Sequence, residues 1–159
     1  MGENGSKKEV SMKLKQLVVS IENSPERLYE VTSALGEAGI NLRALNLVDT
    51  GAFGQLRLLV SNVSKARQIL MQLHIPAFEN EVIAAQIPDR PRSLASVLKP
   101  LTDAGIFVVF MYAFSGFSQD NAVMIFRFND NDRAVELLEA NGIVLLDEQN
   151  FDILESNDK

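Results

Sequence analysis

The sequence is written twice, and that repetition constrains its fold more than any other feature. Setting Pro91 on Pro25, 66 residues earlier, also sets Ile87 on Ile21, Leu94 on Leu28, Val97 on Val31 and Leu101 on Leu35. The same offset lays Ala104-Gly105-Ile106 on Ala38-Gly39-Ile40. Farther along, Ala134 falls on Ala66 and Leu138 on Leu70 at an offset of 68, so the second copy carries two extra residues in its central hairpin or the turn after it. Apolar spacing and punctuation agree together, which favours duplication over coincidence.

Within the first copy, Gln16 to Glu22 is apolar and β-branched and reads as a strand, stopped at Asn23, Ser24 and Pro25. Leu28, Val31, Leu35 and Ala38 then recur at helical spacing, with Pro25 or Glu26 in the first turn and Gly39 closing the end. Ile40 to Asp49 reads as a strand, Thr50 to Gly54 as a turn, and Gln55 to Ser61 as the returning strand. A second helix starts near Ser64 with Ala66, Ile69, Leu70 and Leu73 on one face, and Glu81 to Ile87 forms a strand that also opens the second copy. There the plan recurs: helix Arg92 to Ala104, strand Ile106 to Phe114, turn Ser115 to Asp120, strand Asn121 to Phe128, helix Asp132 to Asn141 and strand Ile143 to Glu148.

This order is β-α-β-β-α-β twice, an α+β fold of two ferredoxin-like units in tandem, each an antiparallel sheet with both helices on one face. The expected division is a flexible tail over 1–14, a first unit over 15–80, a second over 81–150 and a polar tail over 151–159. A strand shared between the copies makes them one rigid body. Pro100, inside the third helix, is expected to bend it without breaking it. Strand Phe107 to Phe114 is apolar on both faces, and helices cover only one of them. Either the other half of the chain or a second copy in a homodimer covers the other face.

Composition removes several functions. Forty-seven percent hydrophobic and 23 percent charged residues are the mark of a globular chain. Fifteen Lys and Arg against 21 Asp and Glu leave a net charge of −6, which repels nucleic-acid phosphates and anionic membranes. An RNA-recognition fold shares the element order, but the aromatic-rich strand is the second of its copy and no basic aromatic motif accompanies it. No apolar run reaches the ~18–20 residues of a membrane span, no secretory h-region opens the chain, and the expected location is the cytoplasm. With no Cys and His74 as the only histidine, common zinc sites and Ser–His or Cys–His dyads cannot be built within one chain. No phosphate-loop or dinucleotide fingerprint occurs, so no cofactor, metal or catalytic residue is expected. The carboxylates at Asp130 and Asp132 or Asp147 and Glu148 have capping and solvation as their explanation.

What remains is the turn before each copy's first helix, Asn23-Ser24-Pro25-Glu26-Arg27-Leu28 and Asp89-Arg90-Pro91-Arg92-Ser93-Leu94. Each helix is followed by a step, Ala38-Gly39-Ile40-Asn41-Leu42 and Ala104-Gly105-Ile106-Phe107-Val108. Singly these residues are scaffold: prolines start helices, glycines end them and leucines fill cores. As a repeated set they resemble the ACT domain, over roughly residues 15–150. That family commonly follows a strand with Asp or Asn, a variable residue, Pro, often Gly, and Leu two places later, then an Ala-Gly-Ile-Asn-like step after the helix. Glu26 and Arg92 stand where the motif often has Gly, and Phe107 replaces the Asn seen at Asn41.

The resemblance implies side-by-side pairing of units and small effectors, often amino acids, bound at unit interfaces near the strand-to-helix turn. Elementary chemistry agrees with that place. A helix start offers unpaired N–H groups and a positive dipole end to a carboxylate, Asn41 or Asp89 can receive an ammonium group, and Gly39 or Gly105 permits close approach. The candidate ligand residues are Asn23, Ser24, Pro25, Leu28, Gly39, Ile40, Asn41 and Leu42 in the first copy. Asp89, Arg90, Pro91, Ser93, Leu94, Gly105, Ile106 and Phe107 are their counterparts in the second. The Asn41 motif favours a site at Gly39 to Leu42 facing Asp89 to Leu94 of the other unit. The expected function is a non-catalytic regulatory module that binds a free amino acid between two ACT-like units and passes this to an enzyme or regulatory partner, with a homodimer expected. The alternative is a structural or protein-docking subunit without a small ligand.

Overall fold

The computed structural model describes residues 11–114 and 120–151. Its elements run β1 (Lys13–Glu22), α1 (Pro25–Glu37), β2 (Leu42–Asp49), β3 (Phe53–Val60), α2 (Val63–Gln72), β4 (Ala77–Pro88), α3 (Ser93–Asp103), β5 (Val108–Phe114), β6 (Asn121–Phe128), α4 (Asn131–Ala140) and β7 (Val144–Leu146). All pairings are antiparallel, in the order β2-β3-β1-β4-β6-β5, with β7 also on β4. Two βαββαβ units therefore share one strand. Residues 77–83 of β4 pair with β1 and close the first sheet, while residues 83–88 pair with β6, and Ala84 to Gln86 also with β7, in the second.

Three apolar clusters follow from the strand alternation. Leu17, Val19 and Ile21 of β1 with Leu56 and Leu58 of β3 meet Val31 and Leu35 of α1 and Ala66 and Leu70 of α2. Ile83 and Ala85 of β4 with Phe126 and Phe128 of β6 meet Val97 and Leu101 of α3 and Ala134 and Leu138 of α4. The residues between them on the strands face the other way. Leu14, Ala44 and Leu59 of the first unit pack with Tyr112, Val123, Ile125 and Leu146 of the second, with Val82 and Ala84 of the shared strand between them. Helices thus cover the outer faces and the inner faces cover each other, which is how the first unit shields Tyr112 and much of Phe110 on β5. Each fully buried Leu or Ile contributes about 1.5–3 kcal/mol relative to exposure.

One polar thread crosses this inner core. The Tyr112 hydroxyl donates to Gln16 Oε1 at 2.7 Å, and Gln16 Nε2 donates to Asn80 Oδ1 at 2.9 Å. Gln16 has no exposed surface, and burial raises the Tyr112 phenol above its ordinary value. Satisfied at both ends, the thread ties β5 to β1 and fixes how the two sheets register.

The helix ends explain several boundaries. Ile40, Ile75, Ile106 and Ile143 each donate their N–H back to Leu35, Leu70, Leu101 and Leu138, while the preceding Gly39, His74, Gly105 and Gly142 have positive φ. This is a Schellman cap with its apolar contact, used four times. Ile40, Ile106 and Ile143 are accordingly cap residues, so the strands expected from them begin at Leu42, Val108 and Val144. β7 also stops at Leu146, because Asp147 and Asn150 bond each other's N–H groups in a turn.

Both expected tails lose residues to the core. β1 begins at Lys13 because Leu14 is fully buried, and Phe151 packs into the inner core instead of joining a polar tail. The rest of those tails, 1–10 and 152–159, and residues 115–119 of the expected Ser115 to Asp120 turn lie outside the described residues. α3 runs unbroken through Pro100. No described helix is long and apolar enough to cross a membrane.

Candidate functional site

The first strand-to-helix turn is held against the first hairpin. Asn23 N–H donates to the Ala52 carbonyl at 3.1 Å, and its side-chain Nδ2 reaches both Asp49 Oδ1 and the Gly51 carbonyl at 3.3 Å. Asp49 in turn accepts the Gly51 N–H at 2.8 Å. Ser24 stands at the N-cap in extended backbone without a side-chain capping bond, and Pro25 occupies the first helical position. The N–H groups of the first turn are therefore not satisfied by the cap, and the positive end of α1 opens outward.

Beside this helix start is a cavity of about 190 Å³ lined by Ile21, Glu22, Asn23, Ser24, Pro25, Leu28, Leu47, Asp49 and Gly54. Four expected site residues, Asn23, Ser24, Pro25 and Leu28, meet there. Ile21, Glu22, Leu47, Asp49 and Gly54 were not expected, because in sequence they read only as strand and turn residues. Gly54 keeps the floor open: a Cβ on it would lie 3.0 Å from Leu47 Cδ1 and 3.7 Å from Ile21 Cγ1. The lining brings together the uncapped start of α1, the acidic residues Glu22 and Asp49, and the apolar Ile21, Leu28 and Leu47.

Gly39 to Leu42 lies at the far end of α1, about 20 Å away for thirteen residues at 1.5 Å each. Asn41 is exposed, its N–H donating to Ser61 Oγ at 2.8 Å and its carbonyl accepting the Ser61 N–H at 2.9 Å. Lys65 Nζ donates to the Ala38 carbonyl at 2.6 Å, neutralising the negative end of the helix. Phe107 makes the same exchange with Asn129, through its N–H to Asn129 Oδ1 at 2.8 Å and its carbonyl to the Asn129 N–H. Gly105, Ile106 and Phe107 line a separate cavity of about 310 Å³ with Leu98, Leu101, Thr102, Val108 and Phe128. That lining is almost wholly apolar.

The second strand-to-helix turn is built differently. Asp89 N–H donates to the Asp120 carbonyl, matching Asn23 and Ala52, but α3 starts only at Ser93, two residues beyond Pro91. Arg92 precedes it with φ 73° and ψ −8°, a left-handed conformation that favours Gly. Asp89, Arg90, Pro91 and Leu94 are exposed and Ser93 is half-buried. Neither the cavity beside α1 nor the apolar one at Gly105 joins 39–42 to 89–94 within one chain, and the backbone of Asn41 is engaged by Ser61 instead. Nor does any group of three or more acidic or histidine side chains stand ready to hold a metal among the described residues.

Comparison with known proteins matches this architecture. The family profile for an ACT domain pair covers residues 12–154. The crystal structure of protein BT0572 from Bacteroides thetaiotaomicron is 34% identical with a TM-score of 0.84, over 90% of this chain and 98% of that one. The regulatory subunit of aspartate kinase from Thermus flavus is 16% identical with a TM-score of 0.61, over 91% and 99% of the two chains. The ligand-free regulatory subunit from Thermus thermophilus is 15% identical with a TM-score of 0.59, over 83% and 94%. A search of curated proteins found no match.

Proposed function

Because the chain belongs to the ACT domain pair family, we propose that it is a non-catalytic regulatory module whose ligand is a free amino acid bound at the start of α1. The observation that carries this reading is that an uncapped helix start, two acidic residues and apolar side chains line one cavity of about 190 Å³. An amino acid's carboxylate meets the uncapped first turn of α1, its ammonium meets Asp49 or Glu22, and its side chain lies on Leu28 and Leu47. The opposite assignment places like charges together.

A second copy of the chain supplies the missing wall. β2 is an edge strand paired only with β3, and its Leu45 and Leu47 are 54% and 48% exposed. Antiparallel two-fold pairing of this edge sets the start of one β2 against the end of the other, carrying the partner's Asn41 and Leu42 towards Asp49 and the Asn23-to-Leu28 turn. This reconciles two groups of expected site residues that stand at opposite ends of α1. A ligand held between copies stabilises one pairing over others and thereby biases an enzyme or regulatory partner by its differential affinity. Two of the structural neighbours are regulatory subunits of aspartate kinase, which supports a regulatory role.

The test is a thermal-shift screen against the twenty amino acids, with Asn41→Ala and Asp89→Ala beside the parent and sedimentation velocity to read assembly. One amino acid is expected to raise the midpoint with concentration, and Asn41→Ala to require about tenfold more of it for the same shift. No shift at about 10 mM of any amino acid, a concentration that reveals even weak binders, rejects sensing in favour of a protein-docking subunit.

A further inference from the structure

A third cavity, of about 330 Å³, opens between the inner faces of the two sheets and shares no lining residue with the one at the start of α1. Arg57 of β3 and Arg127 of β6 both line it, and no aspartate or glutamate does. In a chain with a net charge of −6, two guanidiniums facing one space without a carboxylate are contrary to the general trend. Arg127 has no hydrogen-bond or ion-pair partner among the described residues. Arg57 is braced instead of neutralised. Its Nη1 donates to Asn46 Oδ1 at 3.1 Å, its Nη2 to Gln55 Oε1 at 2.8 Å, and its guanidinium carbon sits 4.1 Å from the Phe110 ring centroid, while its buried Nε has no partner.

The neutral polar groups point to the same charge. Three carboxamides line the cavity, and each oxygen already accepts an internal bond: Gln55 from Arg57, Asn80 from Gln16, and Asn129 from the Phe107 N–H. What they have left over is chiefly N–H. With the remaining Nη hydrogens of Arg57 and the Arg127 fork, the side-chain capacity of this space is overwhelmingly donor and cationic. Phe78, Phe110 and Val18 supply an apolar wall, and the volume is that of a small-molecule site. A neighbouring cavity shares Phe78, Asn80 and Arg127 but balances Lys13, Lys15 and Arg127 against Glu79, Glu81 and Asp132, so the uncompensated positive charge is confined to the inter-sheet space.

From this geometry we infer that the inter-sheet cavity binds a small organic anion, an acid group held by Arg57 and Arg127 and an apolar body against Phe78 and Phe110. The ligand carries no ammonium group, since nothing acidic lines the cavity to receive one beside two guanidiniums. The site is therefore chemically distinct from an amino-acid site at α1 and stands whether or not that reading holds. Both units contribute: Arg57 comes from the first and Arg127 from the second, with Asn80 on the shared strand. Occupancy of the cavity pins the two inner faces together through the end of the thread that Asn80 shares with Gln16 and Tyr112.

The experiment is a titration of the full-length, ¹⁵N-labelled protein with phenylpyruvate, its zwitterionic counterpart L-phenylalanine, and inorganic phosphate, following the side-chain NH₂ signals of Gln55, Asn80 and Asn129. Phenylpyruvate is expected to move these signals saturably, phosphate more weakly, and phenylalanine not at all. Arg127→Gln is expected to weaken phenylpyruvate binding about tenfold or more, the loss of a charge-assisted pair. Signals unmoved by both anions at about 20 mM, a concentration sufficient for even weak millimolar binding, overturn the site, and so does equal binding by Arg127→Gln. Movement by phenylalanine equal to that by phenylpyruvate overturns the charge assignment, and movement by phosphate alone overturns the apolar body. Should Arg127→Gln fail to fold, the parent titration decides by itself.

Discussion

The two strand-to-helix turns share a pedigree and a frame but present different surfaces. Both turns hang on a hairpin carbonyl, both first helices end in a Gly-Ile Schellman cap, and both following residues exchange two hydrogen bonds with the end of the third strand of their unit. Yet α1 starts directly at Pro25 from an extended Ser24, whereas α3 starts two residues past Pro91 after a left-handed Arg92. Asn41 of the first unit is Phe107 in the second. The two units keep the frame that makes the fold, while the backbone at the helix start and the outward side chains differ between them.

The largest effects test the shared frame. Leu35→Ala and Leu101→Ala each remove a fully or almost fully buried cap leucine and are expected to cost about 2–5 kcal/mol. Chemical denaturation should show the two costs within about 1 kcal/mol of each other, well inside the spread such substitutions have in general; a large disparity breaks the equivalence of the units. Tyr112→Phe is next. It leaves Gln16 Oε1 buried without that donor and is expected to cost about 1–3 kcal/mol. A single denaturation transition that shifts as a whole confirms that the units unfold together, and a separate early transition of one unit contradicts it.

Smaller effects test the divergence. Asn41→Ala is expected to weaken amino-acid binding about tenfold, the value of one hydrogen bond to a charged group. Phe107→Ala is expected to leave that binding unchanged, and calorimetric titration of both compares the two steps directly. The smallest pair probes the turns themselves. Arg92→Gly relieves a left-handed side chain and should stabilise by about 0.5–1 kcal/mol, while Glu26→Gly, inside the helix at the aligned place, should destabilise by a similar amount. Equal signs in thermal melts would erase the distinction between the turns.

Much of this architecture was legible because repetition and helical spacing are local signals: Leu28, Val31 and Leu35 name a helix and its buried face without reference to anything distant. Where local signals compete, boundaries moved. Ile40 and Ile106 are β-branched and look like strand starts, but each N–H is committed to the preceding helix's last turn. Leu14 and Phe151 lie next to polar sequence, and only the stacking of one sheet on the other supplies the surface that buries them. The lining of the candidate cavity was half readable for the same reason. Asn23 to Leu28 carries a motif, whereas Asp49 and Gly54 are strand and hairpin residues whose part in the cavity depends on how the hairpin folds against the turn. Arg57 and Arg127 are 70 residues apart in sequence and face one space only once β4 is shared.

On the proposed reading an amino acid binds at the start of α1, not of α3. Titrating ¹⁵N-labelled protein with each of the twenty amino acids and following the backbone amides of Ser24, Glu26, Asn41 and Gly54 against those of Arg90, Arg92 and Leu94 tests it most directly. One amino acid is expected to move the first set saturably and leave the second in place. Movement confined to the second set, or of neither set with any amino acid, contradicts it.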